Sequence, residues 1–232
     1  MLMLALDTTT NVCSIALGGL DRLRAEMILN TKKTHSQVLM PSLQALLKDA
    51  GIDKKQLEGI AVAIGPGSFT GIRIGLATAQ GLAQGLNIPL TGVITLDALA
   101  EGCGFFPVVI CPLLDARRGE VYTCFYRGGP EGPVSLAAPA AIAIDEVAAR
   151  ADSYSEPVIF TGDSPDIFRG KLQEVLGERY LEAPFASRLN RAALVLQKAL
   201  RGQGAKAGNR PPVSPFYLRL PEAERRLSER GG

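Results

Sequence analysis

The chain opens on three apolar runs of strand length. These are Leu2 to Leu6, Val12 to Leu17 and Leu23 to Leu29, and Gly18-Gly19 closes the second. The short spacings and the Gly-Gly turn predict an antiparallel meander. The period then changes. Leu39, Leu43, Leu46, Leu47 and Ala50 fall at i, i+4, i+7, i+8 and i+11, one stripe of an amphipathic helix. Thr34 and Gln37 have the spacing of a capping box. Pro41 either kinks this helix or marks its true first turn, and Gly51 suits its stop. Gly59 to Ile64 reads as a buried strand, and the glycine-rich turn Gly65 to Gly71 follows it. Ile72 to Leu86 is helical and apolar nearly all round. Its small residues fall on two lines, Gly71-Gly75-Ala79-Ala83 and Ala77-Gly81-Gly85. So many glycines and alanines weaken a lone helix and make sense where another backbone comes close. Leu90 to Ile94 is a strand and Thr95 to Glu101 starts a helix, giving the order βββαβαβα.

Glycine and proline cluster from Gly102 to Pro107, where a boundary is expected. Beyond it Val108 to Leu114, Glu120 to Tyr126 and Pro157 to Thr161 read as strands. Ile144 to Ala151, Ser164 to Leu176 and Arg188 to Leu200 read as helices. Arg201 to Pro212 is a loop, and Leu220 to Arg230 a charged terminal helix. The halves echo one another. Leu4 to Gly19 and Pro112 to Gly129 are each a strand ending in Asp (Asp7, Asp115), a short polar turn, then a second strand closed by Gly-Gly.

The length of 232 residues allows one large domain or two small ones. With 47% hydrophobic residues and a net charge of only +2, the chain is not disordered and is no dedicated nucleic-acid binder. No apolar run reaches the roughly 18–20 residues of a membrane helix. Asp7 interrupts the opening MLMLALD, which has no basic residue ahead of it, so no export signal is expected. One stretch is biased. From Ala183 to Pro221 the charged residues are all basic: Arg188, Arg191, Lys198, Arg201, Lys206, Arg210 and Arg219. A solvated helix face with its loop is the first reading of this run, an RNA or phosphate contact the second. Cys13, Cys103, Cys111 and Cys124 form no CxxC pair and sit in apolar surroundings, as reduced thiols of a cytosolic protein do. His35 is the single histidine, which excludes HExxH and any site built on several His ligands.

Asp7-Thr8-Thr9-Thr10 places a carboxylate and hydroxyls at the end of a strand. Such a turn suits Mg²⁺-phosphate, with N–H groups and hydroxyls toward the phosphate and the carboxylate toward the metal or its waters. Asp115-Ala116-Arg117-Arg118 is the counterpart, with guanidinium groups suited to phosphate. A turn closed by its own Asx and Thr side chains accounts for the same residues. GPGSFTGIRIG, from Gly65 to Gly75, is no Walker A loop, and its GxGxxxG spacing is not the dinucleotide fingerprint. It is either a strand-to-helix turn needing positive φ and tight packing or an anion site at a helix N-terminus. His35 is a candidate base or pH-sensitive contact, but no GxSxG elbow is present for it to serve.

Taken together, LALDTTT, THSQVLMPSLQALLKDAG, GIAVAIGPGSFTGIRIGLATAQGLAQGL, LLDARRGEVY and SPFYLR resemble the bacterial TsaB (YeaZ) family over nearly the whole chain. The resemblance implies an α/β fold of the actin/hexokinase-like (ASKHA) class, with two related halves and mixed sheets. The halves are expected at 1–104 and 105–212, with 213–232 packing back on the first. It also implies an accessory role in making the tRNA modification threonylcarbamoyladenosine. The chain would bind and activate a TsaD-type catalytic subunit, with a TsaE-type ATPase joining through the complex. TsaD carries an HxxxH metal motif where this chain has GVITLDAL, with Thr95 and Leu99 at the histidine positions. A non-catalytic, metal-free paralogue is therefore implied, and a protease is not supported.

In the family the first two helices bind the partner or a second copy. That makes His35, Leu39, Met40, Leu43, Leu46, Leu47, Arg73, Leu76, Ala77, Gln80 and Gln84 interface candidates. The resemblance also points to Asp7, Thr8, Thr9, Thr10 and Asp115 for ATP or ADP with Mg. Gly162-Asp163-Ser164 is a poor adenosine motif, so nucleotide is expected to bind weakly or at the partner interface, with weak or absent hydrolysis by the isolated chain. Contact with tRNA is expected to be indirect, the location cytoplasmic, and neither membrane nor DNA involved. The rival readings are an ATPase or small-molecule kinase of the same fold, with Asp7 and Asp115 around Mg-ATP, and a ligand-free, chaperone-like homodimer.

Overall fold

The structure, a computed structural model, describes residues 1–105, 107–202 and 212–219. Strands β1 (Met3–Asp7), β2 (Cys13–Gly18) and β3 (Leu23–Leu29) form the expected meander, followed by α1 (His35–Asp49). Then come β4 (Gly59–Gly65), α2 (Phe69–Leu86), β5 (Leu90–Ile94) and α3 (Thr95–Glu101). The first sheet runs β3-β2-β1-β4-β5, antiparallel through the meander and parallel from β1 to β5. Pro41 lies inside α1, whose start is fixed by Thr34. The Thr34 N–H donates to the Gln37 side chain at 3.0 Å, completing the capping box.

Successive side chains of a strand point to opposite faces, and the first sheet sorts them by size. Leu4, Leu6, Ile15, Leu17, Ile60 and Val62 point to one face and pack with α1 and α2. Met3, Ala5, Ala16, Ala61 and Ala63 point to the other. This low alanine face receives α7 (Ala192–Arg201) through Ala192, Val195, Leu196 and Ala199. By sequence position α7 goes with the second half; in space it completes the first.

The second sheet is built from β6 (Val109–Asp115), β7 (Glu120–Thr123), β8 (Tyr126–Arg127), β9 (Val134–Ser135), β10 (Ala140–Ala143), β11 (Val158–Thr161) and β12 (Tyr180–Glu182). Its main path is β10-β7-β6-β11-β12, antiparallel through β6 and parallel beyond it. Strand order and the sense of every pairing repeat those of the first sheet, so the echo of Leu4–Gly19 in Pro112–Gly129 is a repeated fold unit. Helices α4 (Ile144–Asp152) and α5 (Pro165–Leu176) cover one face of this sheet. Helix α3 covers the other, packing Leu96 and Leu99 against Ile110, Leu114 and Tyr126.

The second half departs from its expected elements in three places. The strand Glu120 to Tyr126 is interrupted at Cys124 and Phe125, where the chain leaves β7 and pairs β8 with β9 instead. The helix expected from Arg188 starts at Ala192, and Arg188 closes the short α6 (Phe185–Arg188). The break has a tertiary cause. The Ala192 N–H donates to Ser14 Oγ at 2.9 Å and the Ala193 N–H to the Glu26 carboxylate at 3.0 Å. Both caps come from the first sheet, and Arg191 pairs with the same Glu26. The terminal helix expected from Leu220 lies outside the described residues.

Candidate functional site

The two Asp-ended strands place their hairpin turns on opposite walls of a cleft of about 550 Å³ between the halves. Thr9, Thr10 and Ser68 line one wall, and Asp115, Arg117 and Arg118 the other. Asp7 and Thr8, expected to face a ligand, are not on the wall. Asp7 is 1% exposed. Its Oδ1 accepts the Thr9 N–H at 2.9 Å and the Thr9 hydroxyl at 2.6 Å, and its Oδ2 accepts from Asn190 Nδ2 at 3.3 Å. Asn190 also donates to Thr9 Oγ1 at 3.2 Å. The carboxylate is thus used inside the protein to shape the turn.

The glycine-rich turn explains the enclosure. The Thr8 hydroxyl donates to the Gly71 carbonyl at 2.7 Å, and the Ser68 N–H to the Thr9 carbonyl at 2.6 Å. A Cβ at Gly67 would stand 2.2 Å from the Thr9 carbonyl oxygen, and one at Gly71 2.0 Å from that of Thr8. Of the two readings of GPGSFTGIRIG, tight packing describes these glycines. His35 Nε2 lies 2.7 Å from the Thr10 carbonyl, so this nitrogen carries the proton and donates. Its visible task is to hold the same turn from the start of α1.

Burial pushes the Asp7 carboxyl above its ordinary value of 3.8, against the opposing pull of the Thr9 and Asn190 bonds and of nearby His35. A raised pKa means that the folded chain holds this proton more tightly than the unfolded one. Its contribution to stability is therefore full in acid and falls as pH rises past the unfolded value. Asp7→Asn keeps an acceptor toward Thr9 and removes the titration. The stability of this variant relative to the wild type is expected to increase between pH 4.5 and pH 7.5 in urea unfolding. A decrease over that range would mean that the carboxylate form is the favoured one.

The structure corrects the interface candidates. Leu39, Leu43, Leu46, Leu47 and Leu76 are buried in the chain's own core with the first sheet. They cannot face a partner, because the α1 stripe that periodicity reveals is the inward one. Met40, Arg73, Ala77, Gln80 and Gln84 are exposed, and His35 is half-buried. The small-residue lines of α2 separate in the same way. Gly71 and Gly75 are pressed on Thr8, whereas a Cβ at Gly81 or Gly85 would meet nothing within 4 Å.

The basic run is largely neutralised by the fold. Arg188 pairs with Asp166 and Glu182, Arg191 with Glu26, Arg201 with Glu101 and Arg219 with Glu120, and Lys198 lies 3.9 Å from Asp97. Lys206 and Arg210 lie outside the described residues. Thr95 and Leu99 are buried in α3, away from the cleft. Among the described residues, no group of three or more His, Cys, Asp or Glu is placed to hold a metal ion. The Asn190 bridge and the positive φ of Arg117 and Arg118 (67° and 59°) leave no signal in the sequence, and Phe216–Arg219, from the segment expected to pack back on the first half, also lines the cleft.

The family model described as TsaD, tRNA N6-adenosine threonylcarbamoyltransferase, matches residues 22–227. The Bacillus subtilis tRNA threonylcarbamoyladenosine biosynthesis protein TsaB is 35% identical, over 99% of both chains. The chain belongs to the TsaB (YeaZ) family. A solved Pseudomonas aeruginosa structure, described as similar to peptidase YeaZ, superposes with a TM-score of 0.78 at 28% identity. It covers 94% of this chain and 99% of its own. The ROK hexokinase of Thermus thermophilus, at 13% identity and a TM-score of 0.50, covers 86% of this chain and 97% of its own. That likeness concerns the fold, which is of the actin/hexokinase-like class. In this TsaB family member the two Asp-ended hairpins occupy equivalent places in the two sheets, and Asp7 is enclosed.

Proposed function

We propose that this chain is the accessory subunit of tRNA threonylcarbamoyladenosine synthesis, docking on a TsaD-type catalytic partner through the exposed faces of α1 and α2. The full-length match to B. subtilis TsaB carries the reading. The outward line Ala77-Gly81-Gly85 supports the docking face. Glycine in an exposed helix costs about 1 kcal/mol relative to alanine, and the open space over Gly81 and Gly85 leaves room for another helix to approach closely. A second copy of the chain would use the same face. A role without chemistry of its own is supported by the inward-turned Asp7 and by His35, whose Nε2 is committed to Thr10. A nucleotide in the cleft would meet Thr9, Thr10 and Asp115 without the Asp7 carboxylate. The free, buried cysteines suit a reducing, cytoplasmic setting. No helix among the described residues is long and apolar enough to cross a membrane.

The test is reconstitution of tRNA threonylcarbamoylation from purified components, with this chain present, omitted, or carrying Gly81→Arg. Omission is expected to abolish product. The arginine stands in open space, so the variant is expected to fold normally yet bind the partner at least about tenfold more weakly, as a buried charge at a seam requires. Full product without the chain would sink the reading. Steady ATP turnover by the isolated chain would favour the kinase-like rival.

A further inference from the structure

Residues Val213–Arg219 cross from one half of the molecule to the other. The Val213 carbonyl accepts from Gln80 Nε2 at 3.0 Å. The Phe216 N–H donates to the Ile64 carbonyl at 2.8 Å, at the end of β4. The Tyr217 ring lies 4.8 Å from that of Phe69, and its hydroxyl accepts from Arg73 Nε at 3.3 Å. The Arg73 guanidinium sits 3.9 Å from the Phe69 ring centroid. The segment thus follows the exposed flank of α2 from Gln80 back to its first turn. Arg219 then reaches the opposite wall of the cleft, donates to the Ala116 carbonyl at 2.6 Å and pairs with Glu120.

What Arg219 grips is a strained turn. Arg117, Arg118 and Gly119 have φ of 67°, 59° and 76°. A left-handed conformation costs a non-glycine residue about 1–2 kcal/mol. Far from the cleft mouth the halves are joined by the buried cluster of α3 with β6, and deeper in by Asn190 on Asp7 and Thr9. The mouth itself is spanned by Val213–Arg219.

We propose that Val213–Arg219 is a latch that sets the 116–120 turn and the width of the cleft, and that a protein docked on α2 acts on this latch through Arg73 and Gln80. The second part rests on the docking reading. Arg73 and Gln80 are exposed on that face, and in the free chain their polar groups hold the segment. A partner that recruits them withdraws its anchors, and one that leaves them in place packs against the segment itself. In either case, occupancy of α2 reaches the opposite half through Arg219.

The experiment is residue-resolved amide exchange on the full-length chain. The Arg117 N–H is held by Asp115 and the Glu120 N–H by the Arg117 carbonyl, so both report on the turn. Arg219→Ala is expected to speed their exchange roughly tenfold while β1 amides keep their rates, and Arg219→Lys to restore part of the protection. Unchanged rates in Arg219→Ala would overturn the latch. Adding the TsaD-type partner at a concentration that saturates both proteins is expected to shift the same amides in the wild type but not in Arg219→Ala. A complex that leaves the wild-type turn unmoved overturns the relay. Failure to form any complex overturns docking, and the relay with it, while the isolated chain still judges the latch.

Discussion

Leu76→Arg is expected to unfold the isolated protein. Leu76 is 5% exposed and packs in the cluster that contains Leu4, Leu6, Ile15, Leu43 and Val62. Removing a buried leucine side chain costs about 2–5 kcal/mol before anything replaces it. The guanidinium stays charged at any usable pH, and it would enter a cluster of apolar side chains. An uncompensated charge therefore adds several kcal/mol more. The sum approaches the roughly 5–15 kcal/mol that holds a typical domain together. Thermal melts followed by circular dichroism should show no cooperative transition for this variant and a normal one for Gly81→Arg, although the two sites lie on one helix. A Leu76→Arg protein that melts like the wild type and only loses its partner would mean that α2 presents Leu76 outward, contrary to the structure.

Two glycine-to-alanine exchanges in α2 should move stability in opposite directions. At Gly71 the new methyl carbon would stand 2.0 Å from the Thr8 carbonyl oxygen, a backbone atom. Its neighbour cannot rotate away, because the Thr8 side chain is tied back to the Gly71 carbonyl. Relief requires separating the β1–β2 turn from the helix, and overpacking of this kind costs about 1–3 kcal/mol or more. At Gly81 the methyl enters open space, and the exchange gains about 1 kcal/mol of helix propensity. For a protein of this size that is an increase of about 2–4 °C in melting temperature, with a larger decrease for Gly71→Ala. Calorimetry on the two variants checks the sign of each. The stabilised Gly81→Ala is also expected to bind the partner less tightly, since the added methyl occupies the close-approach line.

Much of this architecture is written locally and can be read without coordinates. The first half follows its expected order because each strand and helix carries its own period, and Thr34 and Gln37 mark the start of α1 by themselves. The faces of α2 were harder, since a helix apolar on nearly every side gives no stripe. What could not be read depends on partners distant in sequence. The N-terminus of α7 is capped by Ser14 and Glu26 across more than 160 residues, so its start leaves no local mark. Asn190 meets Asp7 across 183 residues. The short strands from β8 to β10 exist through pairing rather than pattern. In the candidate site the chemistry-bearing types were visible, but the carboxylate was not visibly spent. A buried Asp satisfied by Thr9 and Asn190 and an Asp waiting for magnesium have the same letter and the same neighbours.

The alanine face of the first sheet has a consequence for the growing chain. During synthesis the meander, β4 and β5 leave the ribosome long before residues 192–201. Until then the side bearing Met3, Ala5, Ala16, Ala61 and Ala63 has no α7 to cover it. The first sheet is thus finished by a helix that is made only after the whole second sheet has emerged. A nascent chain stalled in that interval presents a flat apolar surface suited to chaperones or to other nascent copies. Low side chains limit how much grease is on show. The alanines that let α7 settle close at the end of folding also keep the unfinished molecule less adhesive while it waits.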